Sequence, residues 1–330
     1  MLKQLLNECI IELTISPDGP ILIKSGMAAI SGPDMTFVTT KRNEQDEVYL
    51  PGSSLKGVLR SHAERIARTL NERATCDPFT TEYNAEAFCG NVFEARKKKE
   101  KNIWPKLDER DRLNRMIYKE SCPICRLFGS TWYAGRLATE DAYAVEKAPR
   151  PQQRDGVGID RFTGGAASGV KFDMEVVTGG TFATRLHLRN FELWQLGLLG
   201  FLLMDLKDGL VRVGAAKSRG LGKVKAAVQS VRLDFLGPKS PEPAEEMLTL
   251  KGVGELSSEQ VAGDYDMARP DVVLIPVKDP DSANRLRATY LFSDDEFPWD
   301  AIAQRWVEKA TGYQTPEAMV PYRRTGGRHG

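Results

Sequence analysis

The chain has 330 residues, with 46 Lys/Arg against 45 Asp/Glu, a net charge of +1 and 41% apolar residues. That composition is ordinary for a globular protein, and the length gives room for one large domain or two smaller ones. The most apolar run, Leu196 to Met204, is too short to span a bilayer, and Met1-Leu-Lys-Gln-Leu-Leu lacks the long apolar core of a signal peptide, so a soluble cytoplasmic protein without membrane contact is expected.

Charge is unevenly spread. Residues 239–330 carry 11 Lys/Arg against 16 Asp/Glu, which leaves 35 against 29 in the first 238. The front of the chain is therefore the better partner for a polyanion. In such a compartment five cysteines point to metal or buried thiols rather than disulfides.

Cys9 to Ser16 alternates, with Cys9, Ile11, Leu13 and Ile15 on one face, as a half-buried strand does. A Pro17-Asp18-Gly19-Pro20 turn leads to a second short strand at Ile21 to Ile23 and a small-residue loop, Ser25 to Asp34. Asp34 follows Gly32-Pro33, so it reads as a turn residue; in an RNA-facing loop its carboxylate can instead deprotonate a ribose hydroxyl or hold a divalent ion.

The segment VYLPGSSLKGVLRSHAERIARTL, Val48 to Leu70, is a strand end followed at once by a helix. Leu55, Val58, Leu59, Ala63, Ile66, Ala67 and Leu70 recur at helical spacing and form a buried stripe. Ser53 or Ser54 is placed to cap the helix, and Lys56 and Arg60 follow four residues apart. Two hydroxyls, two cations and free N–H groups at a positive helix end make a phosphate site; the plainer alternative is a capped helix with solvated charges.

Residues 71–135 read as an insertion with a cationic run at Arg96 to Lys101 and four cysteines spaced C-x12-C-x32-C-x2-C: Cys76, Cys89, Cys122 and Cys125. Four thiolates close a structural Zn2+ site and pin a segment too polar to build its own core, with His62 as a possible substitute for Cys76. Arg136 to Val145 offers a strand, and residues 156–177 a protruding hairpin, in which Asp160-Arg161-Phe162 sets a cation beside an aromatic. Thr181 to Arg189 is an alternating strand and Phe191 to Leu206 a buried helix. Leu210 to Val213 then reads as a strand, joined to Lys223–Phe235 by a glycine-rich turn holding Lys217, Ser218 and Arg219. That turn either approaches a ligand through its backbone or is simply a basic hairpin. After a Pro-rich linker, the tail offers strands at Val272–Val277 and Arg287–Phe292, a helix at Trp299–Thr311 and a basic tip from Tyr322 to Gly330.

Strand, helix, strand, strand, helix, strand is the order of a ferredoxin-like (RRM-like) α+β core. The expected organisation is a domain at 1–237, bearing the zinc insertion (71–135) and a thumb-like β-hairpin (151–178), followed by a C-terminal extension at 238–330.

Taken in order, SGPDM (Ser31 to Met35), LPGSSLKGVLRS (Leu50 to Ser61), GIDRFTG (Gly158 to Gly164) and KSRGLGKV (Lys217 to Val224) resemble the RAMP superfamily, specifically the backbone subunits of type III CRISPR–Cas effector complexes (Csm- and Cmr-like). CPICRLFGS, Cys122 to Ser130, is similar to the cysteine-bearing segment of several members. The resemblance covers about residues 8–235. It implies a subunit that polymerises with further copies or other subunits along a CRISPR guide RNA, while a thumb kinks the guide–target duplex. Active members cut target RNA at regular intervals with Mg2+ or Mn2+. Carried over by position, Asp34 is the catalytic candidate. Ser53, Ser54, Lys56, Arg60, Lys217, Ser218 and Arg219 are guide-phosphate contacts, and Asp160, Arg161 and Phe162 belong to the thumb base. The alternatives are an inactive structural RNA-binding subunit and a guide-processing endoribonuclease, for which His62, His187 and His329 show no clustering. Two features depart from the family: the loop reads Gly214-Ala215-Ala216-Lys217 where members often have more glycine, and the tail after Pro238 has no counterpart in short members.

Overall fold

A computed structural model describes residues 3–26, 33–42, 44–77, 88–102, 104–105, 109–237, 241, 243–244, 247–276, 278–284 and 286–322. In chain order the strands are β1 (Asn7–Pro17), β2 (Thr39–Arg42), β3 (Gln45–Val48), β4 (Gly129–Ser130), β5 (Tyr133–Ala134), β6 (Leu137–Thr139), β7 (Tyr143–Ala144), β8 (Gln152–Ile159), β9 (Ala166–Val176), β10 (Phe182–Arg189), β11 (Val224–Leu236), β12 (Pro243–Ala244), β13 (Met247–Lys251), β14 (Val272–Pro276), β15 (Ser282–Ala283) and β16 (Arg287–Phe292). The helices are α1 (Gly52–Leu70), α2 (Cys89–Lys99), α3 (Arg110–Glu120), α4 (Pro123–Phe128), α5 (Leu193–Lys207), α6 (Val253–Leu256), α7 (Glu259–Tyr265) and α8 (Trp299–Thr311).

The alternating strands build a mixed α+β fold around one antiparallel sheet, ordered β15-β16-β11-β1-β10-β6, with β7 also on β10. Cys9, Ile11, Leu13 and Ile15 of β1 and Phe182, Leu186 and Leu188 of β10 are buried, while Glu12, Arg185 and Arg189 face solvent. Period-two alternation thus fixes which face takes the helices. Leu55 and Leu59 of α1, Leu206 of α5 and Leu13, Ile15 and Leu186 of the sheet surround one small internal space. The expected α1 stripe holds at Leu55, Leu59, Ala63 and Ala67, whereas Leu70 is at the exposed helix end.

Helix α5 is apolar on all sides because the tail covers what the sheet does not. α8 crosses it with Trp194 and Trp306 ring centroids 6.0 Å apart. The helices approach closely at two glycines: a Cβ on Gly197 would meet the Ile302 carbonyl, and one on Gly200 would lie 2.7 Å from the Trp299 ring. β16 extends the sheet beyond β11, so the C-terminal extension shares the main apolar core.

Three expectations change. Residues 210–213 form no strand, because the backbone there turns toward the glycine-rich loop; Val213 N–H is taken by the Gly222 carbonyl. Ile21 to Ile23 is not a strand of the sheet but makes a single bridge to Val177. The insertion does contribute to a core: Val92, Phe93, Ile117, Ile124, Leu127 and Phe128 are buried in the main cluster. Within the cationic run, Arg96 is itself buried, paired with Glu100 and Glu120. Among the described residues no helix is long and apolar enough to cross a membrane.

Candidate nucleic-acid interface and cysteine cluster

The first turn of α1 is held from below. Pro51 is the N-cap, and no side chain caps the helix, so neither Ser53 nor Ser54 has the expected capping role. Instead the Asp141 carboxylate accepts the Gly52 N–H at 2.7 Å, and the Thr139 hydroxyl donates to the Gly52 carbonyl at 2.6 Å. A Cβ at Gly52 would sit 2.5 Å from the Thr139 carbonyl oxygen, so this close seating needs glycine.

Ser53 and Ser54 are therefore left facing outward. With Lys24, Gly214 and Ala215 they line a cavity of about 450 Å³ that joins the helix start to the glycine-rich loop. The loop is pinned to the segment after the first turn: Ala215 N–H donates to the Leu22 carbonyl at 2.7 Å and Gly222 N–H to the Pro20 carbonyl at 2.9 Å. Gly214 adopts φ +87°, where a Cβ would collide with the Leu22 carbonyl, and Ala216 adopts φ +53°, a conformation that glycine takes without strain. Lys217, Ser218 and Arg219 are exposed in the short turn that follows.

Lys56 and Arg60, expected as phosphate contacts, do not line this cavity and are engaged with protein groups. Lys56 Nζ is half-buried and donates to the Leu137 carbonyl at 2.8 Å, and burial, followed by Arg60, holds its amine below the usual lysine range. Arg60 donates to Glu64 at 3.0 Å, to the Gly129 carbonyl at 3.1 Å and to Cys125 Sγ at 3.6 Å.

β8 and β9 form a two-stranded ribbon with mostly exposed residues. Asp160, Arg161 and Phe162 occupy its end turn, not its base, because the strands pair from Gln152/Val176 at one end to Ile159/Ala166 at the other. Asp160 Oδ1 accepts the N–H groups of Phe162 and Thr163 at 2.9 and 2.8 Å; these bonds hold its carboxyl below the usual range and commit it to the turn. Arg161 is exposed and Phe162 is fully exposed.

Two contacts tie the ribbon to the rest of the interface. The Arg219 guanidinium lies 5.2 Å from the Phe172 ring centroid. Exposed Asp34 accepts the Asp173 N–H of β9 on Oδ2 at 3.1 Å, beside a short parallel bridge between Met35 and Met174. Ser31 and Gly32 of the same motif lie outside the described residues.

Cys76, Cys89, Cys122 and Cys125 are all buried, and their sulfurs lie within 4.8 Å of one another. Cys76 Sγ is 3.4 Å from Cys125 Sγ, and the Cys125 N–H points at Cys122 Sγ at 3.4 Å. Four sulfurs on a tetrahedral metal with bonds of about 2.3 Å stand roughly 3.8 Å apart, so the set fits that geometry. His62 takes no part, since its Nε2 lies 2.5 Å from Asp205 Oδ2. His187 sits elsewhere, on the open face of the sheet between Glu8 and Glu140, and His329 is outside the described residues.

Three cations went unnoticed in the sequence: Lys24, which lines the first cavity, and Arg65 and Arg212, which line a second with Lys217. Arg65 was within reach of sequence reasoning, because it lies eleven residues after Ser54 and so on the same helix face. Lys24 and Arg212 are in irregular segments where no periodicity points.

No curated protein matches the chain. The family profile described as RAMP superfamily matches residues 14–225, a span that contains the helix start, the Asp34 segment, the cysteines, the ribbon and the glycine-rich loop. On that match the chain belongs to the RAMP superfamily.

Proposed function

We propose that this protein is a CRISPR-RNA-binding backbone subunit of a type III effector complex, assembling with other subunits or further copies of itself and cutting guide-complementary target RNA. Superfamily membership supports a CRISPR-associated RNA-binding role. The observation that carries the reading further is the shared cavity in which the outward hydroxyls of Ser53 and Ser54 meet Gly214 and Ala215, with Lys217, Ser218 and Arg219 next in the chain. With the Gly52 N–H taken by Asp141, the N–H groups of Ser53 and Ser54 remain at the positive helix end to favour a further anion, and a loop without bulky side chains admits a phosphate backbone. The order β11-β1-β10-β6, with α1 and α5 packed on it, supports a ferredoxin-like core. The exposed ribbon with Arg161 and Phe162 at its tip supports a thumb that enters a duplex.

In this reading Asp34 Oδ1 is the base. Oδ2 is held by the Asp173 N–H, which orients the carboxylate and leaves Oδ1 without a protein donor among the described residues. Oδ1 takes the proton of the target ribose 2′-hydroxyl, the 2′-oxygen bonds to phosphorus and the P–O5′ bond breaks; water protonates the leaving oxygen, giving a cyclic phosphate and a 5′-hydroxyl. Carboxylate oxygens are the donors that Mg2+ or Mn2+ takes, and a bound ion would stabilise charge on the phosphate. Asp34→Ala should abolish periodic target cleavage while guide binding stays near the wild-type level. Unchanged cleavage removes the catalytic assignment, and a wild-type complex that binds matched RNA without cutting it favours a purely structural subunit. The His62–Asp205 pair is a His–carboxylate contact of the kind guide processing would use, and incubating the lone protein with precursor repeat RNA tests that alternative.

The cysteine cluster holds a structural zinc ion in this reading, with the Arg60 guanidinium against Cys125 offsetting thiolate charge. Elemental analysis of purified protein should give about one zinc per chain. Protein without zinc that melts as the zinc-loaded form does would refute the metal's structural role.

A further inference from the structure

Two hollows lie on successive turns of α1 and share Val58 as a wall. The first is the cavity at the helix start. The second, of about 320 Å³, is lined by Ser61, His62 and Arg65 of α1 and by Arg212, Lys217 and Ser218 of the opposite loop. Three cations meet there. Neither Arg65 nor Lys217 has an ion-pair partner among the described residues, and the Asp205 carboxylate is taken by His62. Arg212 donates to the Lys217 carbonyl at 2.9 Å, which holds the loop with its charges gathered. Burial, followed by the facing Arg65, holds the Lys217 amine below the usual lysine range. Three like charges gathered around one hollow favour an anion between them.

The spacing along the helix says what kind of anion. Ser54, Val58, Ser61 and Arg65 follow one another at i, i+4, i+7 and i+11, a single stripe about 16 Å long. One phosphate cannot cover that length, whereas a strand with phosphates at regular intervals can.

We propose that Arg65, Arg212 and Lys217 form a second phosphate subsite, so that one RNA strand runs along α1 from the helix-start cavity, over Val58, into this hollow. The inference rests on the RNA-binding reading and gives it a path. Ser61 and Ser218 add hydroxyls that can meet phosphate oxygens or a ribose 2′-hydroxyl. Val58 between the hollows offers a low apolar saddle, and no carboxylate lines either hollow.

Salt dependence tests this directly, because each phosphate contact to a single strand contributes about 0.7 to the slope of log affinity against log salt. A fluorescently labelled oligouridylate is titrated with full-length protein across a KCl series. R65Q/R212Q should make the slope shallower by about 1.4, and should weaken binding, while its thermal melt matches wild type. K98Q/K119Q, which removes two exposed charges from α2 and α3 away from the hollow, should leave the slope unchanged. An R65Q/R212Q slope equal to wild type overturns the second subsite and leaves the RNA-binding reading standing. An equal loss in K98Q/K119Q also overturns it, since general charge would then explain the effect. Wild-type protein that binds no RNA overturns both.

Discussion

Arg60 satisfies three acceptors at once: Glu64, the Gly129 carbonyl and Cys125 Sγ. A guanidinium can do this because its N–H groups fan out in a rigid plane, which a lysine amine cannot match. Burial raises the carboxyl of Glu64 above its usual range even against the pull of Arg60, so the pair is a committed internal contact rather than a loose surface bridge. Arg60→Ala should therefore cost about 3 kcal/mol in urea denaturation by leaving Glu64 unpaired, while the salt slope of RNA binding stays as in wild type. A shallower slope with unchanged stability would instead make Arg60 a phosphate contact. Gly214 and Ala216 show the same scale from the backbone side. Both sit at positive φ in the loop beside the helix start, and only the first has no Cβ to accommodate.

At the scale of elements, the joint between α5, α6 and the start of β14 is held by a buried carboxylate. Asp271 Oδ1 accepts the Leu193 N–H at 3.0 Å and Oδ2 the Gly254 N–H at 3.1 Å, so one side chain serves the starts of two helices. Burial and the neighbouring Glu192 push its carboxyl up to about 8 from an ordinary 3.8. The folded chain therefore binds a proton that the unfolded chain has released between those values. That contribution to stability is fully present below about pH 4 and is lost as pH rises through about 8. Urea titrations should show stability falling across this window by at most about 1.4 kcal/mol per pH unit, and Asp271→Asn should flatten the slope even as it weakens the joint. A slope as steep in the variant as in wild type would assign the titration elsewhere.

Elements also show what could be read from the sequence. Strong periodicity placed β1, β10, α1, α5, β16 and α8 within a few residues, because each buries one face or all faces against a neighbour. The four-cysteine grouping was legible from spacing, since Cys122 and Cys125, three positions apart, can reach one ion and Cys76 and Cys89 were the other cysteines of the insertion. Tertiary direction was not legible. Lys56 and Arg60 carry charge on a helix surface, yet that surface packs against Leu137 and the cysteines. Asp160 to Phe162 lie at the ribbon's tip because pairing register, which local sequence left open, puts the turn there. Residues 210–213 have strand-like composition but meet no open sheet edge.

For the molecule as a whole, the tail turns a four-stranded antiparallel core into a larger sheet and roofs α5 with α8. The helix-start cavity, the hollow beside Arg65, the ribbon and Asp34 are thus joined to one packed core. Such a layout suits a subunit that grips one strand and interrogates another. The central claim is that the grip is on guide RNA. Its most direct measurement is sequencing of the RNA that co-purifies when the protein is expressed with its operon partners, for wild type and for Ser54→Asp, which places a carboxylate in the helix-start cavity. Wild type should carry RNA enriched in CRISPR repeat-derived guides, and Ser54→Asp should recover at least about tenfold less, the effect of roughly 1.4 kcal/mol of lost affinity. Wild-type complexes without enriched guides, or equal recovery in the variant, would contradict it.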